Sequence, residues 1–412
     1  MVVSVIDTRE AYLRAVTAIA AGNGPIAIDA ERASGFRYSQ RAYLIQIYRR
    51  GAGTFLFDPP AVGEFTELND VLANEEWILH AASQDLTCLR EVGIDPKKLF
   101  DTELGARLAG LPRVGLGTVV EDLLGIHLAK EFSAADWSTR PLPQAWLVYA
   151  ALDVELLVDL REKLGEILDE AGKGEIARQE FEAVLARDFR IVREQPWRRL
   201  SGLHSVRGAR GLAVARELWQ ARDEYARETD IAPGRLVPDS ALVAAARVLP
   251  ESKRDLVGMR EFTGRASRSQ IDRWWDAIQV GITTTDLPAL RIPSDSVPPP
   301  RAWADKNPAA DRRLKSARAA VIEKSGELNI PVENVLTPEL LRRLAWAPPE
   351  PIELDSVRSE LSEMGARSWQ VDAVAEPITQ AFLAPAEPDV VEPSEPIVDE
   401  RQTAPSAISD ES

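Results

Sequence analysis

The sequence predicts an α/β domain built on a mixed sheet over residues 1–172, followed by an all-helical remainder. Three observations carry that expectation. Short apolar runs bounded by Gly and Pro recur between Pro25 and His80 and have the length of buried strands. One pair forms a meander, in which Arg49-Arg50-Gly51-Ala52-Gly53 turns Tyr43–Tyr48 back into Thr54-Phe55-Leu56-Phe57. Beyond Gly172 the apolar spacing is almost entirely helical.

Taken in order, Pro25-Ile26-Ala27-Ile28 is a buried strand that runs into Asp29-Ala30-Glu31. Side chains alternate along a strand, so Asp29 and Glu31 share a face. In the strand Tyr43-Leu44-Ile45-Gln46-Ile47-Tyr48, Tyr43 and Gln46 point to opposite faces, and one of them belongs to the core. Trp77-Ile78-Leu79-His80 is a further strand leading into Ala81-Ala82-Ser83-Gln84-Asp85-Leu86, where Ser83 is a candidate helix cap and Asp85 would lie in the first turn. Asp101 is expected to cap a helix starting at Thr102. Gln144–Glu155 is rich in Ala and Leu and spaced as a helix, with Tyr149 and Asp153 four residues apart on one face.

Four acids, Asp29, Glu31, Asp85 and Asp153, thus follow or open segments that should be buried. A buried carboxylate is costly unless it is compensated, and like charges that close repel. A pair of divalent cations is the natural compensator for oxygen ligands, Mg²⁺ by default and Mn²⁺ equally well. A phenol beside such a carboxylate can orient a water for hydrolysis. Singly, an Asp-x-Glu after a strand or a Tyr four residues before an Asp is common by chance; it is the order and context together that point to a site.

In that order and context the chain resembles the DEDD exonucleases, in the branch whose last motif carries Tyr, and within it the ribonuclease D family. Asp29 and Glu31 match the first motif, Asp85 the second, and Tyr149 with Asp153 the third. The flanking words agree, in His80–Leu86, Phe100-Asp101-Thr102, Asp136-Trp137-Ser138-Thr139-Arg140-Pro141-Leu142 and Tyr149–Val154. Gln84 stands where the family often has Glu, and Val148, five residues before Asp153, is not the His of the sister branch. The resemblance implies a ribonuclease H-like fold and two-metal hydrolysis. By the same resemblance Asp29 bridges the two cations, Glu31 and Asp153 complete one site, Asp85 helps to hold the other, and Tyr149 positions the nucleophile.

Around these residues Gln46, Phe36, Lys130 and Arg140 are candidate substrate contacts. Phe36 and Tyr38, in a Gly-containing loop, are candidates for stacking a terminal base, with core packing as the alternative. Lys130 and Arg140 flank the third motif and suit phosphate, though solvated surface charge accounts for them too. His80 reads as a hydrogen-bonded strand-end residue, because carboxylates already fill the ligand set.

A chain of 412 residues has room for two or three domains. A single cysteine, Cys88, excludes an internal disulfide framework and suits a reducing compartment. The first residues lack a basic and an apolar signal region, and no apolar run reaches spanning length, so a soluble, unexported, cytoplasmic protein is expected. The net charge of −16 opposes binding to RNA as a whole. It is unevenly spread: eight acids face Arg401 alone from Pro385 onward, whereas nine arginines face three acids between Arg187 and Arg222.

The expected organisation is an exonuclease domain at 1–172, a helical connector at 173–196 and an HRDC-like bundle at 197–285. A Pro-rich linker at 286–306, a second, degenerate HRDC-like bundle at 307–384 and an acidic disordered tail at 385–412 follow. The bundle rests on the amphipathic run Ala213–Arg227, the turn Ile231–Ser240 and a helix capped near Asp239. Its weaker copy rests on Arg312-Arg313-Leu314-Lys315 leading into Leu328–Glu339. The function implied is a metal-dependent 3′-to-5′ exoribonuclease acting on single-stranded RNA 3′ ends, such as those of tRNA precursors, and releasing 5′-mononucleotides. The alternatives are a DNA exonuclease of the same chemistry, since the acids cannot read a 2′-hydroxyl, and a catalytically silent RNA-binding scaffold.

Overall fold

A six-stranded mixed sheet carries the first part of the chain, with strand order β1-β4-β3-β2-β5-β6. The strands are β1 (Val5–Ile6), β2 (Asn23–Arg32), β3 (Ala42–Arg50), β4 (Gly53–Phe57), β5 (Trp77–Leu79) and β6 (Leu99–Asp101). The computed structural model describes residues 4–128, 132, 134–190, 193–291 and 297–385. The tail expected from 385 lies, after its first residue, outside them, as does Lys130.

The meander is antiparallel as expected: β2 pairs with β3 and β3 with β4, the turn closing over Gly51 and Gly53, both at positive φ. β5 then joins β2 in parallel, and β6 joins β5. The long β2 is therefore interior, and its apolar run Ile26-Ala27-Ile28 is fully buried. Helices α1 (Arg9–Ala20), α2 (Leu86–Glu91), α3 (Thr102–Leu108), α4 (Leu116–Leu124), α5 (Gln144–Glu155), α6 (Leu157–Glu170) and α7 (Gly174–Ala186) accompany the sheet. Aromatic residues lock one side: Tyr12, Phe57 and Phe65 meet edge-on, with ring centroids 5.0–5.8 Å apart.

No strand follows β6 among the described residues. The helical part begins at a turn over Trp197, and its long helix α8 spans Gly208–Thr229, extending the amphipathic run Ala213–Arg227 by five residues at its start and two at its end. The short α9 (Pro233–Leu236), α10 (Asp239–Val248) and α11 (Ile271–Thr283) complete a core around Leu218, Leu242, Trp274 and Ile278. Asp239 does not cap α10; Pro238 holds the cap position, and the Asp239 carboxylate instead takes Ser201 N–H at 2.9 Å and the buried Arg222 at 2.7 Å. A buried guanidinium needs that partner more than an exposed helix end does.

Two compact units can be distinguished. The first comprises residues 1–296, 325–335 and 367–370, so that the sheet and the bundle around α8 share one unit; the second comprises 297–324, 336–366 and 371–412. The order of a long helix, a short Pro-led turn and a further helix recurs at Pro308–Leu328, Val332–Val335 and Pro338–Trp346. Inside the second unit Trp303 packs on Trp346 at 5.0 Å. No described helix is long and apolar enough to cross a membrane.

Candidate active site

Asp29 and Glu31 project from β2 on one face, opposite Gln46 and Leu44 of β3 in register. Asp153 reaches the same place from α5, and carboxylate oxygens of Asp29, Glu31 and Asp153 lie within 4.8 Å of one another. Asp85 and Tyr149 line the same cavity of about 550 Å³, together with Arg32, Phe36, His80 and Leu116. All five acid and phenol positions expected from the sequence are therefore in one cleft.

Asp85 arrives differently from expectation. The chain leaves β5 through Ala81 in the left-handed region, φ 59°, and a single 3₁₀ turn over Ala82–Gln84 precedes α2. Asp85 sits at the junction and no Ser83 cap forms, because the turn is held from elsewhere. Asp101 accepts from the Ala81 and Ala82 N–H groups at 3.0 and 2.9 Å while capping α3 through Glu103 and Leu104. One buried carboxylate thus satisfies four backbone donors and ties the second motif to the end of β6.

The electrostatics of the cleft are one-sided. Arg32 is the only cationic side chain that lines it among the described residues, and it lies 3.8 Å from Asp85. Burial pushes every acid up: Glu31 to about 10, with Asp29, Asp153 and Asp85 adding repulsion, and Asp153 to about 7, with Asp29 adding to it. Asp29 and Asp85 are raised for the same primary reason. Burial also drives His80 down to about 4, so it adds no positive charge. Thr102 donates to Leu79 O at 3.2 Å, so His80 Nδ1 donates to Thr102 Oγ1 at 2.9 Å, as a strand-end anchor should.

Oxygen donors, partial burial and uncompensated negative charge are what hard divalent cations select. The residues present therefore fit such ions. Protons retained by Glu31 and Asp153 stabilise the metal-free fold below the ordinary carboxylate range, and that contribution is lost as pH rises through 7 towards 10. His80 works the other way, but only between its ordinary 6.5 and about 4. In EDTA, melting at pH 8.5 is expected at least about 3 °C below that at pH 6.5, and Mg²⁺ should raise it more at pH 8.5. Equal Mg²⁺ effects at the two pH values would contradict this charge balance.

Two expected substrate contacts are corrected. Gln46 is fully buried, and its amide faces Asp29 Oδ2 at 3.5 Å, so it braces an acid and cannot reach a nucleotide. Tyr43 is buried as well, so both residues of the pair belong to the core. Arg140 is spent on structure: it chelates Asp58 at 2.6 and 2.9 Å and bonds the carbonyls of Tyr43, Trp137 and Thr139. With Trp137 in the core and Arg37 bonded to Ser138 at 2.8 Å, the Asp136–Leu142 words are scaffold in this chain. Phe36 does line the cleft. Tyr38 turns its hydroxyl to Asp223 at 3.1 Å rather than to the cleft. Sequence reasoning passed over Arg32, which directly follows Glu31.

Three arginines of the arginine-rich stretch are engaged within the fold. Arg222 is buried, Arg210 bonds the Gly281 and Thr284 carbonyls, and Arg216 pairs with Glu217 and Asp286.

Comparison with known proteins follows the same outline. The family model for 3′-5′ exonuclease matches residues 3–169, that for the HRDC domain residues 211–278, and that for a 3′ to 5′ exonuclease C-terminal domain residues 296–382. Ribonuclease D of Jannaschia sp. (strain CCS1) is 30% identical over 326 residues, 76% of this chain and 82% of that one. Ribonuclease D of Escherichia coli K12 is 28% identical over 319 residues, 75% of this chain and 80% of that one. Among solved structures, a protein from Bifidobacterium adolescentis superposes with TM-score 0.87 at 38% identity, covering 93% of this chain and 97% of that one. The Escherichia coli RNase D structure, described as an exoribonuclease involved in structured RNA processing, gives TM-score 0.66 at 25% identity, covering 88% of this chain and 99% of that one.

Proposed function

The chain belongs to the ribonuclease D family of 3′-5′ exoribonucleases, and on that premise we propose that it trims single-stranded RNA 3′ ends in the cytoplasm, releasing 5′-mononucleotides, with tRNA precursors as substrates. The observation that carries this reading is the meeting of Asp29, Glu31 and Asp153 within 4.8 Å, in the cavity that Asp85 and Tyr149 also line.

Two divalent cations, Mg²⁺ or Mn²⁺, would supply activation of water and neutralisation of charge on the reacting phosphate. Asp29 would serve both, with Glu31 and Asp153 completing one site and Asp85 helping to hold the other. Gln46 keeps Asp29 from turning, through its amide contact. Burial beside Asp153 and Glu31 drives the pKa of Tyr149 up, so its phenol would stay neutral and orient a water by hydrogen bonding rather than act as a base that ionises. Phe36 offers a ring at the cleft wall against which a terminal base can stack, for roughly 1–3 kcal/mol.

The test is a 5′-labelled single-stranded RNA beside the DNA of the same sequence, with Mg²⁺ or Mn²⁺ and with excess EDTA. Stepwise shortening of RNA that EDTA stops is expected, with DNA degraded at least about tenfold more slowly. Equal rates on the two would replace the reading by a general 3′-5′ exonuclease, and EDTA-resistant cleavage would remove the metal mechanism.

A further inference from the structure

The loop that follows Glu31 is held by the helical bundle rather than by the sheet. Asp230, at the end of α8 with φ 49°, accepts from Ser39 N–H at 2.9 Å and from the Tyr43 hydroxyl at 3.0 Å, and Arg41 lies 3.6 Å away. Tyr38 donates to Asp223 at 3.1 Å. From the turn after α8, Ala232 N–H bonds Phe36 O at 3.0 Å. Arg235 of α9 then closes over the loop: its Nε donates to Gly35 O at 2.8 Å, and its guanidinium carbon stands 4.0 Å from the centre of the Phe36 ring. Gly35 and Phe36 are the residues of this loop that, with Ser34, line the acidic cleft.

Arg235 is exposed, and no carboxylate among the described residues pairs with it. Its Nε is used, and no hydrogen bond among the described residues engages its two terminal nitrogens. The cleft has need of such a group. Among the described residues, a nucleic-acid backbone entering a pocket of four acids meets one lining cation, Arg32, which already lies beside Asp85. Arg140 is fully engaged with Asp58 and carbonyls. Guanidinium is the side chain best suited both to lie on an aromatic face and to contact phosphate.

We propose that Arg235, carried by the HRDC bundle, is a substrate-binding residue of the exonuclease cleft, backing Phe36 as the stacking platform for a base near the RNA 3′ end and contacting a backbone phosphate. The inference rests on the exoribonuclease reading above, and it gives the bundle a specific task at the chemistry. One face of Phe36 is taken by Arg235, so a base would use the other, and the cation fixes the ring before the base arrives.

The experiment is steady-state trimming of a single-stranded RNA, with the salt dependence of binding measured in parallel, for Arg235→Gln, Arg235→Lys and, as a control, Arg247→Gln. Arg247 is exposed on α10 and, unlike Arg235, has no hydrogen bond to Gly35 and no ring contact with Phe36 among the described residues. Arg235→Gln is expected to raise KM roughly tenfold, with a smaller change in kcat, and to reduce the salt slope by about one. Arg235→Lys should keep the slope, because the charge stays, yet raise KM a few-fold because the planar stack is lost. Wild-type KM and slope in Arg235→Gln would overturn the proposal, and so would an equal effect of Arg247→Gln, which would mean unspecific attraction. Failure of the wild-type protein to trim RNA with Mg²⁺ would instead overturn the function from which the proposal starts.

Discussion

Asp29→Asn is expected to lower RNA trimming by at least about 10³-fold, measured under single-turnover conditions with Mg²⁺. Asp29 shares the carboxylate cluster with Glu31 and Asp153, and its repulsion helps to raise the pKa of both. Replacing it by a neutral isostere removes a charged oxygen donor from the carboxylate cluster and leaves the shape of the cleft unchanged. The same substitution relieves repulsion in the metal-free protein, so its melting temperature in EDTA should rise while the gain from adding Mg²⁺ shrinks. Loss of activity together with a lower melting temperature would indicate damage to the fold. Retention of more than about a tenth of the activity would remove Asp29 from the centre of the mechanism.

Tyr149→Phe should cost about 10²-fold in kcat with little change in KM. The hydroxyl is the only atom removed, and the ring keeps its edge-on contact with Phe132 at 6.0 Å. Because burial and the neighbouring acids hold the phenol above its ordinary 10, the hydroxyl stays protonated throughout the neutral range. The pH–rate profile of the variant should therefore keep the wild-type shape between pH 6 and 8 while dropping as a whole. A changed shape would assign Tyr149 a proton-transfer role, and more than half the wild-type kcat would leave it only a packing role.

The acids were legible in the sequence because each is announced by its neighbours: an apolar strand before Asp29, another before Asp85, and helical spacing between Tyr149 and Asp153. The meander was legible for the same reason, through Gly51 and Gly53. What escaped depends on partners distant in the chain. Arg140 looks like a phosphate ligand until Asp58, 82 residues away, chelates it. Gln46 looks like a nucleotide contact until strand register sets it opposite Asp29. Ser83 has the chemistry of a cap, but Asp101 holds that turn through the N–H groups of Ala81 and Ala82. Arg235 lies 200 residues from Gly35, the carbonyl it bonds. Local pattern identifies which groups can react; which groups hold them is decided by pairing across the fold.

The grip of Asp223, Asp230 and Arg235 on the loop from Gly35 to Tyr43 bears on modularity. A fragment ending near Gln195 would not be a nuclease minus an accessory, since Ser39 N–H and the Tyr38 and Tyr43 hydroxyls would lose their acceptors and Phe36 its backing. Nor would a bundle grafted from another chain serve unless it brought matching residues at these positions. The boundary between the two domains is a seam sewn from both sides, and swapping either cloth means restitching the loop beside the catalytic acids.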